Sequence, residues 1–240
     1  MHKKHKKLVL TAVALAAVAH VSAEDTGWKS TAGINVAIAR GNSSSTLIGG
    51  SILTGRKWDK NEISAGIDGA YGKANGAKNV ENYGGFGQYN RLIDDRWYAY
   101  GRADIRRDTV ASINYRATLS PGIGYYFIKD PNTTFSAEVG PGIVFEKFKG
   151  TRSSTYFTLR LGENFTHKFN DHVSLAQDAE YLPKIDDFGD YVINAGATLS
   201  AKLMGNLAST LTVKDTYRSH PALDRLKNDI QLLAGLSYSF

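Results

Sequence analysis

The chain of 240 residues contains no cysteine and only 5 prolines. Without cysteine it can form no disulfide and offers no thiolate to a metal ion, so its stability must come from hydrogen-bonded pairing and packing. It also lacks an apolar run of the roughly 20 residues that a membrane-spanning helix requires, since the run from Leu8 to Ala19 is too short. A disulfide-stapled domain and a bundle of membrane helices are therefore both excluded.

The first residues have the three parts of a secretory signal peptide. Four lysines within the first seven residues precede the apolar run, and a small-x-small cleavage pattern follows at 21–23. We therefore expect residues 1–23 to be removed and residues 24–240 to form a single exported domain. Removing these four lysines from the 29 basic residues leaves 25 against 23 acidic ones, a net charge of +2. The basic balance of the full chain thus reflects targeting, and we expect no nucleic-acid partner.

Alternation of apolar and polar residues runs through the mature chain. From Trp97 to Arg106, for example, Trp, Ala, Gly, Ala and Ile alternate with Tyr, Tyr, Arg, Asp and Arg. A period of two is typical of strands with one apolar face. No segment of the mature chain shows a convincing helical period, so the sequence predicts an all-β fold.

Turn-forming residues divide this alternation into about 12 strands. Short connections are expected at 59–62, 94–96, 129–133, 170–172 and 204–206, and often longer ones at 41–45, 72–82, 109–113, 149–154, 182–190 and 218–225. Short turns that alternate with longer loops are typical of barrels in which all turns lie at one end. The sequence therefore predicts a transmembrane antiparallel up-and-down β-barrel over residues 24–240.

Two features indicate that the apolar face meets lipid. The polar face carries charges in mid-strand, such as Arg102, Asp104 and Arg116, which suits a polar lumen. Aromatic residues gather near strand ends, as they do at membrane interfaces. They are Trp58 and Trp97 beside short turns, and Tyr71, Tyr83, Phe148, Tyr156, Tyr181, Tyr191 and Tyr217 beside longer loops. The alternative is ordinary aromatic packing in the core of a soluble barrel.

The last strand keeps its alternation to the final residue, with Leu236, Tyr238 and Phe240 on the apolar face. A terminal strand of this kind can be recognised by addition to the edge of another sheet. The pattern resembles the C-terminal assembly signal of bacterial outer-membrane proteins, which implies recognition by the outer-membrane assembly machinery and a final location among outer-membrane lipid. The alternative is a chain that merely happens to end in a strand.

Two stretches carry a family resemblance. They are "ARGNSSS" at 39–45 and the segment 106–148, which contains "PGIG" at 121–124 and "PGIV" at 141–144 around a short turn. In the order of these features the chain resembles the salt-induced outer membrane protein family, the YdiY-like group described as a domain of unknown function. The resemblance implies an outer-membrane barrel and supplies no catalytic, cofactor-binding or metal-binding residues.

The residues themselves give little sign of catalysis. The mature chain has three histidines, His167, His172 and His220, in or beside turns and loops, and it has no G-x-S-x-G motif. Acidic residues at 186–190 lack the spacing of a calcium loop. We therefore expect no enzyme, cofactor or metal, and keep an outer-membrane enzyme of the phospholipase type as the alternative.

The strongest candidate site is a cluster of charges in the lumen. Folding the chain about its turns brings Arg106 close to Arg116, and Arg116 close to Glu146. It also brings Arg160 within a residue of Glu180. Opposite charges on neighbouring strands would neutralise each other across the lumen wall. Two interpretations stay open: a structural or envelope-stress role with a narrow, charge-balanced lumen, and a small passive pore for ions or small solutes.

Overall fold

Twelve strands account for most of the residues that the computed structural model describes, which are 27–39, 45–221 and 226–240. The expected signal peptide at 1–23 lies outside this part of the chain. The strands are β1 (Lys29–Ala39), β2 (Ser45–Trp58), β3 (Asn61–Ala74), β4 (Ala77–Leu92), β5 (Trp97–Asp108), β6 (Ile113–Lys129), β7 (Thr133–Phe148), β8 (Ser154–Lys168), β9 (Val173–Pro183), β10 (Tyr191–Met204), β11 (Leu207–Arg218) and β12 (Asn228–Ser239). Within these ranges no helix is long and apolar enough to cross a membrane.

Each strand pairs antiparallel with its neighbours in sequence, and β12 pairs with β1 to close the barrel. At the closure, Thr31 lies opposite Ser239 and Val36 lies opposite Ala234. Ser30 and Phe240 exchange two backbone hydrogen bonds, of 2.9 and 2.8 Å. Closure satisfies the backbone of both terminal strands and leaves no open sheet edge. The predicted all-β up-and-down barrel is confirmed.

The connections alternate between two ends of the barrel. The turn end carries the first residues of β1, the last residues of β12 and the five short connections, at 59–60, 93–96, 130–132, 169–172 and 205–206. The loop end carries the other connections. One of these was predicted wrongly, because the expected loop at 72–82 is a turn of only Asn75 and Gly76. Both have positive φ, 49° and 79°, which is the conformation that an Asn-Gly hairpin turn requires.

The outer face is apolar, as the alternation predicted. Ile34, Ile67 and Phe157 are each more than 60% exposed. A chain of outward ring contacts follows the turn end, with centroids 4.7 to 6.4 Å apart: Trp97, Tyr125, Phe127, Phe135, Phe165, His167 and Phe169. At the loop end Tyr191 contacts Tyr181 and Tyr217. Two rows of aromatic residues thus border the apolar band, as in membrane barrels.

Two aromatic residues depart from the expected face, and one carboxylate lies on the apolar side. Tyr156 and Phe148 were expected in the outer aromatic row, but they share the inward strand faces of Thr158 and Glu146. The centroid of the Tyr156 ring lies 4.5 Å from the Lys184 ammonium, so the inward ring has a cationic partner. Conversely, Glu163 points outward between two apolar residues of β8 and accepts a hydrogen bond of 2.8 Å from Gln177.

The interior is packed unevenly. Leu47, Val80 and Leu233 form a small apolar cluster inside the wall made by β2, β4 and β12. On the other side of the lumen, the buried side chains of β5 to β9 include Tyr98, Tyr100, Glu138, Glu146 and Arg160. This side holds the predicted charge cluster.

Candidate functional site in the barrel lumen

The two glycines of "PGIG" leave room for two tyrosine rings to lie across the inner face of β6. Tyr98 and Tyr100 on β5 lie opposite Gly124 and Gly122 on β6. A Cβ atom on Gly124 would lie 2.2 Å from the Tyr98 ring, and one on Gly122 would lie 2.6 Å from the Tyr100 ring. Because these positions carry no side chain, both rings lie flat over β6 and reach the strands beyond it.

Glu138 on β7 is the centre of the resulting network. One of its carboxylate oxygens accepts hydrogen bonds from the Gln88 amide at 2.7 Å and from the Tyr98 hydroxyl at 3.0 Å. The other accepts from Arg160 Nη1 at 2.6 Å. Only 1% of the Glu138 side chain is exposed. A carboxylate this buried requires such donors to offset the loss of its hydration.

Arg160 extends the network to β9 and back to β5. Its Nε atom donates to Glu180 at 2.7 Å, and its Nη1 atom also donates to the Tyr100 hydroxyl at 3.2 Å. Arg102 pairs with Asp104 on its own strand at 2.7 Å and donates to the Gln88 amide oxygen at 3.1 Å. We call this set the lumen network: Gln88, Tyr98, Tyr100, Arg102, Asp104, Glu138, Arg160 and Glu180.

A second carboxylate, Glu62, lies nearer the turn end. It accepts hydrogen bonds from Tyr126 at 2.7 Å and from Asn90 at 3.3 Å, and it pairs with Lys57 at 3.1 Å. The ring centroids of Tyr126 and Tyr98 lie 4.9 Å apart with the ring planes tilted by 40°, so the two carboxylates are joined through two phenols in contact.

Arg106, Arg116 and Glu146 lie on adjacent strands near the loop end. Arg106 is directly opposite Arg116, and Arg116 is directly opposite Glu146. Arg116 Nε donates to Glu146 at 2.6 Å. Arg106 instead pairs with Asp68 on β3, at 3.2 Å. The structure therefore brings the three predicted residues together, but it gives each arginine its own carboxylate.

The β9–β10 loop beside this cluster is closed by contacts between Lys184 and Asp190. Lys184 forms an ion pair with Asp190 inside the loop, and its backbone N–H donates to the Asp190 carbonyl at 2.9 Å. Burial alone would lower the pKa of the Lys184 ammonium, but the hydrogen bond and charge of Asp190 outweigh it and raise that pKa. Lys184 therefore stays charged at neutral pH.

Free space inside the barrel is concentrated at the turn end. A cavity of about 910 Å³ there is lined by hydroxyl and lysine side chains, including Thr210, Ser200 and Lys202. Two voids beside the lumen network are much smaller, about 80 and 110 Å³. The network therefore fills the part of the lumen in which it lies.

The other predicted residues lie outside the lumen network. Leu236, Tyr238 and Phe240 point outward on the closing strand, each about half exposed or more. His167 stacks among the outer aromatics, and His172 lies in a turn. His220 approaches Ser219 and Asp190 through the same atom, Nδ1, at 3.2 and 3.7 Å, so it cannot relay a proton between them as a catalytic histidine does. Within the described ranges no group of acidic and histidine residues could hold a metal ion.

Sequence reasoning missed several members of the lumen network, above all Gln88, Tyr98 and Tyr100. The available signal was two tyrosines on the polar face of a strand, opposite glycines on the next. A tyrosine hydroxyl on the inward face requires a hydrogen-bond partner, and a glycine opposite it leaves space for the ring. Glu138 carried the same signal as a mid-strand carboxylate on the polar face.

A closed antiparallel barrel with an apolar, aromatic-bordered exterior and an ion-paired interior has the fold of outer-membrane β-barrels. The structure superposes on the NanC porin with a TM-score of 0.54 at 11% identity, covering 88% of this chain and 99% of that one. The KdgM porin gives a TM-score of 0.48 at 11% identity, with coverage of 88% and 99%.

Within that class, the chain belongs to the family described as "Protein of unknown function, DUF481", whose sequence model matches residues 30–240. The protein YdiY of Escherichia coli K12 is 22% identical over 150 residues, which are 62% of this chain and 57% of YdiY. The match thus spans little more than half of that relative. The predicted resemblance to the YdiY-like group is confirmed.

Proposed function

We propose that this protein is an outer-membrane β-barrel with a structural role in the envelope, and that its lumen is narrow and charge-balanced. The observation that carries this proposal is the contact of Glu138 with Gln88, Tyr98 and Arg160, which joins side chains from β4, β5, β7 and β8 across the interior. A barrel of about eight strands is filled by its side chains, whereas a wide channel needs about 16. With twelve strands, this network supplies the filling.

The ion pairs support a structural role over ion selectivity. Arg102, Arg106, Arg116 and Arg160 each pair with a carboxylate, so these four arginines add little net charge to the wall that a passing ion would meet. Selective pores instead present rings of like charge. Closely paired charges also hold neighbouring strands in register.

A small passive pore for ions or small solutes is the second candidate. The cavity of about 910 Å³ at the turn end favours it, because hydroxyl and lysine side chains there could hold water and solutes. In this candidate the lumen network is the constriction that sets the size limit.

We further propose that the protein is not an enzyme, since the three histidines in the described part of the chain lie outside the lumen network, and His220 meets Ser219 and Asp190 through one ring nitrogen. Its partners in this proposal are outer-membrane lipid and, during biogenesis, the assembly machinery that reads Leu236, Tyr238 and Phe240.

Conductance across a planar bilayer distinguishes the two candidates. The purified barrel should insert without steady current steps, and Arg160→Ala, which removes a central part of the network, should produce them. Arg56→Ala is the matched control, because Arg56 lies on the outer face beside Trp58. Steady current steps from the unmodified barrel would reject the closed lumen in favour of the pore.

A further inference from the structure

The outer wall carries a groove of about 830 Å³ that crosses β1 to β6. Its floor is made of Gly50, Gly69 and Gly85, which occupy outward positions on β2, β3 and β4. Gly50 lies directly opposite Gly69, and Gly85 lies opposite Ile67. Exposed side chains of Ile34, Ile52, Ile67 and Ile105 border it. Missing side chains in an otherwise bulky apolar wall thus create a channel for a flexible hydrocarbon.

Basic residues surround the loop end of this groove. Arg107 lines its mouth and lies directly opposite the exposed Tyr83, and Tyr115 lines the same mouth. On the outward faces of the flanking strands, Lys147 lies opposite Tyr115, and Lys73 lies opposite Lys78.

The two flanking lysines and one glutamate form a group around Tyr71. The ammonium groups of Lys73 and Lys78 are each 5.9 Å from the Tyr71 ring centroid. Lys78 pairs at 2.8 Å with Glu81, which is the one outward carboxylate among the described loop-end positions of β3 to β7. Four cations against one carboxylate leave this sector positive. On the opposite side of the barrel, the outward charged residue near the loop end of β11 is Asp215, which is acidic.

We propose that this groove binds a lipid with a negatively charged phosphate headgroup, its acyl chain over the glycines and its headgroup on Arg107 at the mouth, while Lys73 and Lys147 on the flanking strands add positive charge nearby. Arginine matches phosphate geometry, and basic groups at a membrane surface each strengthen binding of anionic lipid about fivefold. A long apolar channel that ends in cations fits one amphiphile better than the face of a second barrel, which would bring a second set of cations. The inference rests on the proposed membrane location.

Native mass spectrometry of the detergent-solubilised barrel tests it with two probes. These are phosphatidylglycerol, which is anionic, and phosphatidylcholine with identical chains, which is neutral overall. The unmodified barrel should retain phosphatidylglycerol preferentially. Arg107→Gln should weaken that retention about fivefold, whereas Arg56→Gln, an outward arginine at the turn end, should not.

A second pair of variants tests the hydrocarbon part of the site. Gly69→Leu should fill the groove and displace the lipid without changing charge, because a Cβ there meets its nearest atoms at an ordinary 3.5 Å. Gly87→Leu is the control, since its outward position is open and lies outside the groove.

Equal retention of both lipids by the unmodified barrel would overturn the proposal. So would a dimer that Gly69→Leu dissociates, because the groove would then hold a second copy. A protein that fails to insert into vesicles of either lipid would instead reject the membrane location, which keeps the two failures distinct.

Discussion

The Arg160 guanidinium lies 2.6 Å from the Glu138 carboxylate, and neither side chain is more than 6% exposed. Ions this buried lose most of their hydration, and only mutual attraction and further hydrogen bonds offset that loss. Here Gln88, Tyr98 and Tyr100 supply the further bonds. The intact pair therefore adds little net free energy of unfolding compared with an apolar pair of the same size, and its main effect is on how the interior side chains are arranged.

Glu138→Gln should lower the free energy of unfolding by about 3 kcal/mol or more, because it leaves the Arg160 charge without one of its partners in a poorly hydrated site. Reversible urea unfolding in phospholipid vesicles measures this. Glu81→Gln is the control, since the exposed pair of Glu81 with Lys78 should contribute little to stability. Similar losses for both variants would show that the Glu138 site is hydrated.

Gly124→Ala should destabilise the barrel by about 1–3 kcal/mol, as overpacking does, because the new methyl group would overlap the Tyr98 ring. The near-ultraviolet circular dichroism of the tyrosines should change with it. Gly87→Ala should have little effect, since a Cβ atom there meets nothing within 4 Å. If both glycines tolerate alanine equally, the Tyr98 ring does not lie in close contact with Gly124.

The sequence could predict most of this fold because strand alternation and turn residues are local signals. It predicted the number of strands, all but one of the connections, and the faces of most of the residues that were assigned to one. The loop at 72–82 was wrong although Asn75-Gly76 is a strong hairpin signal, because the polar residues after it were taken for a loop when they continue β4. In this stretch Lys78 and Glu81 form an exposed pair, whereas Asn82 is buried.

The contacts of the candidate site were only partly predictable. Counting residues from a turn finds partners on adjacent strands, and Arg116 indeed lies opposite Glu146. It cannot find Tyr98 beside Glu138, because β6 lies between their strands. Such contacts depend on ring size, on glycine at the crossing point and on the curvature of the wall, which are properties of the closed barrel.

Leu211→Arg should destabilise the membrane-inserted barrel by about 2–4 kcal/mol if this outward residue lies near the bilayer midplane. Thr210→Arg, one residue earlier, should cost less because Thr210 lines the wide cavity at the turn end. Urea titration in vesicles measures both. Equal costs would contradict the assignment of the two faces to lipid and lumen.

A peptide tag inserted between Asn75 and Gly76 should be labelled by antibody on intact cells, because we propose that the loop end faces outward. A tag between Asp59 and Lys60, at the turn end, should be labelled only after the outer membrane is permeabilised. Both sites are exposed turns, so insertion should disturb the strands equally little. The reverse pattern of labelling would invert the proposed orientation.

Glu146→Gln should lower the free energy of unfolding by about 1–3 kcal/mol, because it weakens the hydrogen-bonded partner of Arg116 inside the lumen. Arg106 lies directly opposite Arg116, and two arginines on adjacent strands repel unless each is neutralised. Asp68 continues to neutralise Arg106 in this variant, so the loss should stay local to Arg116.

The double change Arg116→Met with Glu146→Gln separates charge from packing. If the cost of Glu146→Gln arises from an unpaired arginine, removing that arginine as well should restore part of the lost stability, since replacing a whole buried pair by apolar groups is often tolerated. The measurement is again urea unfolding in vesicles, with Arg116→Met alone as the third corner of the cycle. Costs that simply add would mean that Arg116 and Glu146 do not stabilise each other, and that their 2.6 Å contact contributes only to the shape of the lumen.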